Sequence, residues 1–408
     1  MRVLETERLR LMPWEPAHGR MLARLAALPQ VMRYIGDGAL WTAAEAEEHS
    51  ARALAHWRAH GFGWRAAVER ESGRLAGLIA LNFAGPDVQE LADAERSGRV
   101  TAHFERRLAL QGELREGYAR LLGVPARELA LTTSTTDGIA RVIAGLGLGR
   151  DDEIVTSDQE HPGLVGPLLA ARRRGVNVRA VPFRHVAEAV GPQTTAVAVS
   201  HVSWITGEVA PAALAELDVP VLLDGAQGAG AVHVDPRALG CAAYAAAGQK
   251  WLCGADGTGV LWIDPAFAAK VAPVSPGYAS FADPAAGLEG RFKDTAARYD
   301  APVLPREGVA LSLAALRVLE DAGWAEVHAA GAAAARRLAD ALRERGRTVM
   351  PRGATTLVSW EDPYAEETRD RLAAADIAVR NMPGRALVRA SVGAWNDDSD
   401  LDRLLSAL

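Results

Sequence analysis

The sequence predicts an α/β protein whose central sheet is mostly parallel, preceded by an incomplete α+β segment. Short apolar runs rich in valine or alanine alternate with helical or turn segments: ELALTT, EIVTS, NVRAVPF, TAVAVSHV, VPVLLD, AAYAAAG and GVLWI. Such near-continuous apolar strands between helices are typical of a parallel sheet that is covered on both faces. The first 82 residues differ in composition, because they contain no lysine but four of the ten tryptophans.

Three domains are predicted from these changes of pattern. An alanine-rich helical run begins near residue 306 and leads into a small α+β unit. We therefore expect a front segment over residues 1–84, a large domain over residues 85–305 and a small domain over residues 306–408. Within the front segment the patterns predict a strand, two amphipathic helices and a hairpin, in the order RLRLM, PAHGRMLARLAAL, TAAEAEEHSARALAHWRAHG, GWRAAVER and RLAGLIALNF.

Composition and charge exclude several classes of function. A net charge of -6 with mixed signs argues against nucleic-acid binding and against a polybasic membrane patch. The chain begins without an apolar signal region and contains no apolar run near 18 residues, so we expect a cytoplasmic protein. The two cysteines, Cys241 and Cys253, do not form a disulfide framework, and no histidine stands at metal-ligand spacing from them. No metal site is predicted.

Lysine is scarce, and this singles out one residue. Only Lys250, Lys270 and Lys293 are lysines among the 45 basic residues. Arginine stays protonated at working pH and forms no imine, so a retained lysine invites a chemical explanation. Lys270 and Lys293 stand in polar or turn-forming stretches, whereas Lys250 lies in the Gly-rich apolar stretch AAAGQKWLCGADGTG. A desolvated lysine after a strand has a lowered pKa and is nucleophilic toward an aldehyde.

Polar side chains follow several of the predicted strands, at the sheet edge where ligands bind in such folds. Thr135 and Thr136 open a helix after the first strand, where an anion is favoured, although a helix cap is the more common explanation when this stretch is taken alone. His161 precedes a helix-starting proline and is suited to lie over a flat ring, but a lone histidine is more often an ordinary loop residue.

Asp224 follows a buried apolar strand and needs a cationic partner there. A protonated pyridine nitrogen would provide one, and Gln227 could donate to a phenolic oxygen of the same ring. The competing interpretation is a nucleotide-binding strand of the Walker-B type, but the chain lacks the accompanying GxxxxGK[ST] loop.

Residues from about 98 to 408 resemble the class V aminotransferase family of pyridoxal 5'-phosphate (PLP) enzymes of fold type I, which includes cysteine desulfurases and isopenicillin-N-epimerase-like proteins. The motifs that carry the resemblance are STTDG, EHP, HVSWITGEV, DGAQ, GQKWLCGADGTG and RAS, in this order. The resemblance implies an aldimine between PLP and Lys250, as well as a homodimer, with Ser280 a candidate for reaching the neighbour's phosphate. It also implies roles for the remaining candidates: Asp224 on the pyridine nitrogen, Gln227 on the phenolic oxygen, His161 stacked on the ring, Thr135 and Thr136 on the phosphate, and Arg389 on the substrate carboxylate.

The sequence also departs from this family. The stretch RNMPGRALVRAS lacks the cysteine that desulfurases use to form a persulfide, and Trp204 replaces their usual asparagine. Ala247 and Gln249 stand where a phosphate-binding serine and histidine are common; we keep Gln249 as a cofactor-binding candidate. The expected chemistry on an amino-acid substrate is transamination, epimerisation or C–S bond cleavage. A catalytically impaired PLP-binding protein is the alternative, and an N-acetyltransferase a more distant one.

Residues 1–82 resemble the N-terminal half of a GNAT acetyltransferase. The resemblance rests on LETERLRLMPW, PQVMRYIGDG, WTAAEAEEHSARALAHW and GRLAGLIALNF. The loop that holds the pyrophosphate of acetyl-CoA belongs to the second half of that family, and no such loop follows here. ALNFAGPD resembles a shortened form of the entrance segment with which class V enzymes begin. We therefore expect the front segment to contribute neither acetyl transfer nor cofactor binding.

Overall fold

The computed structural model describes residues 3–6, 8–32, 39–79, 96, 98 and 100–408. Residues 33–38 of the predicted PQVMRYIGDG turn lie outside this part, as do the end of the hairpin after residue 79 and the ALNFAGPD segment. The internal contacts of the chain divide it into two units, Met1–Gln89 and Glu90–Leu408. The predicted division between residues 305 and 306 does not separate two such units.

The first unit is an antiparallel sheet with helices, as its patterns predict. Its strands lie in the order β1, β2, β3, β4, with the bounds Leu4–Glu5, Leu9–Pro13, Arg65–Glu69 and Leu75–Ile79. Its helices are α1 (Gly19–Ala26), α2 (Pro29–Met32) and α3 (Ala43–His60), the last of which begins at a capping box of Thr42 and Glu45. The core of the unit consists of Trp14, Leu22, Ala46, Ala53 and Trp57. The exposed two-residue strand β1 is an addition to the prediction.

The second unit contains a seven-stranded sheet, and each of its strands falls on one of the predicted apolar runs. The strands are β5 (Leu129–Thr132), β6 (Glu153–Ser157), β7 (Asn177–Val181), β8 (Thr194–Ser200), β9 (Val221–Asp224), β10 (Ala243–Ala247) and β11 (Gly259–Ile263). Their order in the sheet is β5-β11-β10-β9-β8-β6-β7. Strand β11 is antiparallel to β5 and β10, while the other neighbours are parallel. The prediction of a mostly parallel α/β sheet is confirmed.

Helices cover this sheet and bury its apolar side chains. They are α4 (Val100–Leu122), α5 (Thr135–Gly145), α6 (Pro162–Arg173) and the short α7 (Pro265–Ala268). Helices α5 and α6 follow β5 and β6 directly, so their first residues lie at the carboxyl ends of these strands. A continuous core contains side chains from the sheet and both helices, including Ile139, Leu164, Ala196, Leu222 and Ala245.

The C-terminal part of this unit is a small α+β layer, as predicted. Helices α8 (Arg306–Ala322) and α9 (Trp324–Glu344) lead into strand β12 (Leu357–Glu361), helix α10 (Ala365–Ala374), strands β13 (Arg380–Asn381) and β14 (Leu387–Ser391), and helix α11 (Asp398–Ala407). The three strands are antiparallel in the order β12-β14-β13. Across the described ranges no helix has the length and apolar character needed to cross a bilayer.

Candidate active site

The N-terminus of helix α5 carries an unsatisfied hydroxyl. Ser134 caps the helix by accepting a hydrogen bond from the Asp137 amide at 3.1 Å. The Oγ1 atom of Thr135 is buried and has no hydrogen-bond partner among the residues that the structure describes. A buried hydroxyl without a partner is costly, and the first turn of a helix favours an anion. The position predicted for a phosphate is therefore a suitable site for one.

His161 lies beside this helix end. A Cβ atom added to Gly163 would be 2.5 Å from Thr136 Oγ1 and 3.1 Å from His161 Nδ1, so both side chains lie close to this glycine. The Gly163 amide donates to His161 Nδ1 at 3.0 Å. Burial, together with the charges of Lys250 and two arginines, lowers the pKa of His161 to about 4. The imidazole is therefore neutral near pH 7, and its Nδ1 is the acceptor.

Asp224 and Lys250 form the electrostatic centre of the site. Asp224 is the last residue of β9 and is 5% exposed, and its Oδ1 accepts a hydrogen bond from the Ala226 amide at 2.9 Å. Burial raises the pKa of its carboxyl group, which the Ala226 amide and Lys250 partly counter. Burial lowers the pKa of the Lys250 ammonium, which the Asp224 carboxylate opposes. Each charge is thus desolvated and made less costly by the other.

Gln227 has a fixed amide orientation. The indole Nε1 of Trp251 donates to Gln227 Oε1 at 2.8 Å. Because the amide oxygen is used in this way, the amide nitrogen remains available as a donor.

Arg389 is a buried cation that pairs with no carboxylate among the residues that the structure describes. It is 6% exposed, its Nη1 donates to the Trp204 carbonyl oxygen at 2.5 Å, and its Nε has no hydrogen-bond partner within the described chain. Burial, and then the charge of Arg380, lower its pKa to about 10. Since no described carboxylate forms an ion pair with it, the guanidinium group is available for a carboxylate from outside the chain.

Arg380 was not predicted from the sequence. It lies directly opposite Arg389 in the pairing of β13 with β14. Its charge also lowers the pKa of Lys250 and of His161, which shows that it faces the same site. Arg380 and Arg389 are nine residues apart along the chain, and they become neighbours only when the two strands pair.

A loop of the large sheet is tied to the C-terminal sheet beside Arg389. This tied loop, residues 203–207, lies between Val202 and Val209, which pair with each other in an isolated antiparallel bridge. Its carbonyl oxygens accept hydrogen bonds from three side chains of the C-terminal part: Trp204 from Arg389, Ile205 from Ser359 at 2.5 Å, and Gly207 from Thr355 at 2.8 Å. The ring of Trp204 meets that of His161 edge to face, with centroids 4.8 Å apart.

Glu160 is a second buried acid that the sequence did not reveal. Its carboxylate accepts hydrogen bonds from Ser157 Oγ and Ser200 Oγ, each at 2.5 Å, and from the Ser200 amide at 3.1 Å. Burial, with a smaller effect of the Asp224 charge, raises its pKa to about 7 in spite of these donors. Ser200 pairs with Asp224 across β8 and β9, so Glu160 supports the strand end next to Asp224.

The pKa of Glu160 predicts a pH dependence of stability. The pKa of Glu160 in the folded state exceeds the ordinary value of 4.5. The stabilisation of the folded state by protonated Glu160 is therefore complete below pH 4.5 and is lost as pH rises through about 7. We expect Glu160→Gln to remove this loss, so that between pH 4 and 8 the free energy of unfolding of the native chain falls relative to the variant by on the order of 3 kcal/mol. Urea denaturation across this range measures it. Glu216→Gln, on the surface, should follow the native profile; parallel profiles for Glu160→Gln and the native chain would contradict the assignment.

The positions of the remaining candidate residues give less support for a role in the site. Gln249 is exposed, directly before Lys250. Ser280 is fully buried, and its Oγ accepts a hydrogen bond from the Gly277 amide at 3.0 Å. Cys253 has a positive φ of 54°, and burial raises the pKa of its thiol, which disfavours a reactive thiolate. Within the described ranges no group of three or more His, Cys, Asp or Glu side chains is arranged to hold a metal ion.

The fold and this strand-end site define a PLP enzyme of fold type I, and comparison with known proteins agrees. The model of the family "Aminotransferase class-V" matches residues 88–404. The chain therefore belongs to this family. It is 29% identical to a probable cysteine desulfurase of Halalkalibacterium halodurans over 69% of this chain and 77% of that one. It is also 29% identical to isopenicillin N epimerase of Streptomyces clavuligerus, over 74% and 84% of the two chains.

A solved structure extends the comparison to the cofactor. A lysine-to-alanine mutant of C-DES, with glycine covalently linked to its PLP cofactor, has a TM-score of 0.72 and 26% identity, covering 78% of this chain and 90% of that one. Another C-DES structure is described as that of a cystine C–S lyase with its product cysteine persulfide.

A second family model overlaps the first. A GNAT acetyltransferase domain model matches residues 8–145. The resemblance of the front segment to this family is thus confirmed, and the match also extends over α4, β5 and α5. In the structure β5 is a strand of the seven-stranded sheet, hydrogen-bonded to β11, so residues 129–145 belong to the class V fold.

Proposed function

We propose that this chain is a PLP-dependent enzyme that acts at the Cα atom of an amino acid, with Lys250 bonded covalently to the cofactor. The observation that carries the proposal is the desolvated Lys250 next to the buried Asp224, at the edge of the sheet where Thr135 and Arg389 each leave a buried polar atom unsatisfied. Lys250 suits an aldehyde and Asp224 a protonated ring nitrogen. Thr135 suits a phosphate, and Arg389 suits a carboxylate. The unsatisfied atoms support this assignment because each gains a partner when the ligand is bound.

When bound, PLP supplies an electron-withdrawing ring that acidifies the Cα–H bond of an attached amino acid. The protein residues then have separate tasks. Asp224 holds a proton on the ring nitrogen, and Arg389 holds the substrate carboxylate through its planar donor group. Once displaced from the cofactor, the Lys250 amine is suited to accept the Cα proton, because its lowered pKa leaves more of it unprotonated.

The remaining candidates hold the cofactor. Thr135 and Thr136 would donate to the phosphate at the start of α5, assisted by the helix dipole. The neutral His161 ring would lie against one face of the cofactor, and Gln227 would donate to its phenolic oxygen. We include the exposed Gln249 as a weaker contact.

The reaction outcome is one of transamination, epimerisation or C–S bond cleavage. All three begin with removal of the Cα proton and differ in where the electrons go next. The stretch from Arg380 to Ser391 has no cysteine, and the pKa of the Cys253 thiol is raised, so we assign no persulfide-forming nucleophile to the chain.

Exchange of the Cα proton tests the proposal for all three outcomes at once. The PLP-loaded protein is incubated in D2O with single amino acids, including L-cysteine, L-cystine and L-alanine, and loss of the Cα–H signal is followed by NMR. Product analysis for keto acid, D-amino acid, or pyruvate and sulfide then identifies the outcome. A protein that retains PLP but catalyses no exchange would instead be a cofactor-binding protein without turnover.

We further propose a cytoplasmic homodimer. Because Ser280 is fully buried within its own chain and its Oγ accepts from the Gly277 amide, we do not assign it a contact with the neighbour's phosphate. Residues 274–303 display several exposed apolar side chains, which supports an interface on this stretch: Val274, Tyr278, Leu288, Phe292 and Val303. Sedimentation equilibrium of the PLP-loaded protein measures the association state; a loaded monomer would contradict the dimer.

We propose residues 1–84 as a partial GNAT-like segment without a part in PLP binding, followed by a large domain over 85–305 and a small domain over 306–408. All the proposed PLP contacts lie at or after Thr135, so the chain of residues 85–408 should retain the cofactor occupancy of the full chain. Absorbance of purified protein measures it, and calorimetry with acetyl-CoA should show no binding to either form. Loss of PLP on truncation, or affinity of the full chain for acetyl-CoA, would give the segment a role.

A further inference from the structure

Trp251, the residue after Lys250, contacts the cofactor-binding candidate Gln227. Its indole Nε1 donates to Gln227 Oε1 at 2.8 Å. An indole N–H group is a donor only, so it accepts no alternative orientation of the amide with the nitrogen facing it. The hydrogen bond therefore fixes the Gln227 oxygen toward Trp251 and leaves the NH2 group as the end that faces other partners.

Trp251 is itself held firmly by its surroundings. It is 7% exposed and packs with Val202, Ala231 and Leu357 in one apolar cluster. Its ring stacks on that of Trp395, with centroids 5.9 Å apart and planes inclined by 30°. A rigid donor orients its acceptor better than a mobile one, because less side-chain entropy is lost in holding the geometry.

The backbone brings the two residues together through a close approach. Gly230 has a φ of +83°, and a Cβ atom there would lie 2.8 Å from both the carbonyl carbon and the carbonyl oxygen of Trp251. The turn that contains Gln227 can thus lie against the segment that contains Lys250 only because residue 230 is a glycine. The same contact joins the segment that carries Lys250, the proposed point of covalent attachment, to the turn that carries the Gln227 amide.

We propose that Trp251 is a positioning residue that turns the Gln227 amide so that its NH2 group donates to the phenolic oxygen of the cofactor. This inference rests on the proposed function. A donor at that oxygen stabilises its negative charge and lowers the pH at which the Lys250–cofactor linkage loses its proton. An amide free to rotate would present its oxygen for part of the time, and two acceptors facing each other are unfavourable.

The test is a double-mutant cycle read by absorbance. The full chain and the variants Trp251→Phe, Gln227→Ala and the double variant are loaded with PLP, and the pH midpoint of the visible absorption band is measured. We expect Trp251→Phe, which keeps an aromatic ring but lacks the N–H group, to raise the midpoint by up to about one pH unit. In the Gln227→Ala background the same substitution should add no further shift, because the two residues act as one unit.

Trp395→Phe is the matched control, since it alters the stacked ring without touching the hydrogen bond, and its midpoint should equal that of the native chain.

If Trp251→Phe does not fold, Gln227→Glu replaces it as the test variant. One carboxylate oxygen still accepts from Trp251, and the other presents an acceptor to the phenolic oxygen instead of a donor. The midpoint should therefore rise further than in Gln227→Ala. Equal midpoints for Trp251→Phe and the native chain, or for Gln227→Glu and Gln227→Ala, would overturn the inference alone. The proposed function would be refuted if the native chain loaded with PLP showed no visible band that borohydride removes while fixing the cofactor to the chain.

Discussion

Lys250→Ala is expected to abolish the covalent attachment of PLP to the chain. The Lys250 amine is the one that lies near Asp224 and has a pKa lowered by burial, whereas Lys270 is exposed. The same substitution removes the proposed acceptor of the Cα proton, so exchange of that proton should fall by about 10²–10⁴-fold. Borohydride reduction followed by peptide mass mapping measures the attachment, and NMR in D2O measures the exchange.

The other two lysines are the controls for this experiment. Lys270→Ala and Lys293→Ala should retain both the reducible linkage and the exchange rate of the native chain. Cofactor fixed by borohydride to Lys270 or Lys293 in the Lys250→Ala protein would show that the attachment site has been assigned to the wrong residue.

Asp224→Asn is expected to retain PLP while losing most of its turnover. Asparagine has nearly the same shape and can still accept the hydrogen bond from the Ala226 amide at 2.9 Å, so the strand end should keep its structure. A neutral amide does not hold a proton on the ring nitrogen, and turnover should fall by about 10²–10³-fold, as for other preorganised groups. Cofactor occupancy from absorbance and turnover on the best amino-acid substrate are measured together.

Asp218→Asn provides the matched control for this substitution. Asp218 precedes the same strand at its opposite end and is exposed, so its variant should match the native chain in both occupancy and turnover. An unchanged turnover in Asp224→Asn would remove Asp224 from the proton chemistry of the site.

Much of the fold could be predicted because its signals are local. Strands β5 to β11 are short apolar runs bounded by turns, and burial of both sheet faces requires that pattern. By contrast, β1 has only two exposed residues, Leu4 and Glu5, so no periodicity marks it. The antiparallel direction of β11 was also beyond reach, since it depends on the chain's path from Ala247 to Gly259 and leaves no trace in the strand's composition.

The site could be predicted where a residue is unusual for its position. Asp224 and Lys250 are charges next to buried strands, and their desolvation is visible in the sequence itself. Arg380 and Trp251 give no such signal, because an exposed arginine and a core tryptophan are ordinary. Their relation to Arg389 and Gln227 arises from strand pairing and from a close backbone contact, which are properties of the folded chain.

The hydrogen bonds between the tied loop and the C-terminal sheet have a consequence for how the second unit unfolds. Three side chains that donate to carbonyl oxygens of residues 203–207 come from the C-terminal part, and Gly207 fits there because a Cβ would lie 2.9 Å from the Leu357 carbonyl oxygen. A local opening of the C-terminal sheet therefore breaks the contacts of this loop as well, and both exchange their amide hydrogens as one cooperative group. We therefore expect the Arg389 guanidinium and the Trp204 indole beside His161 to be lost together in one partially unfolded state, while the seven-stranded sheet that carries Asp224 remains protected.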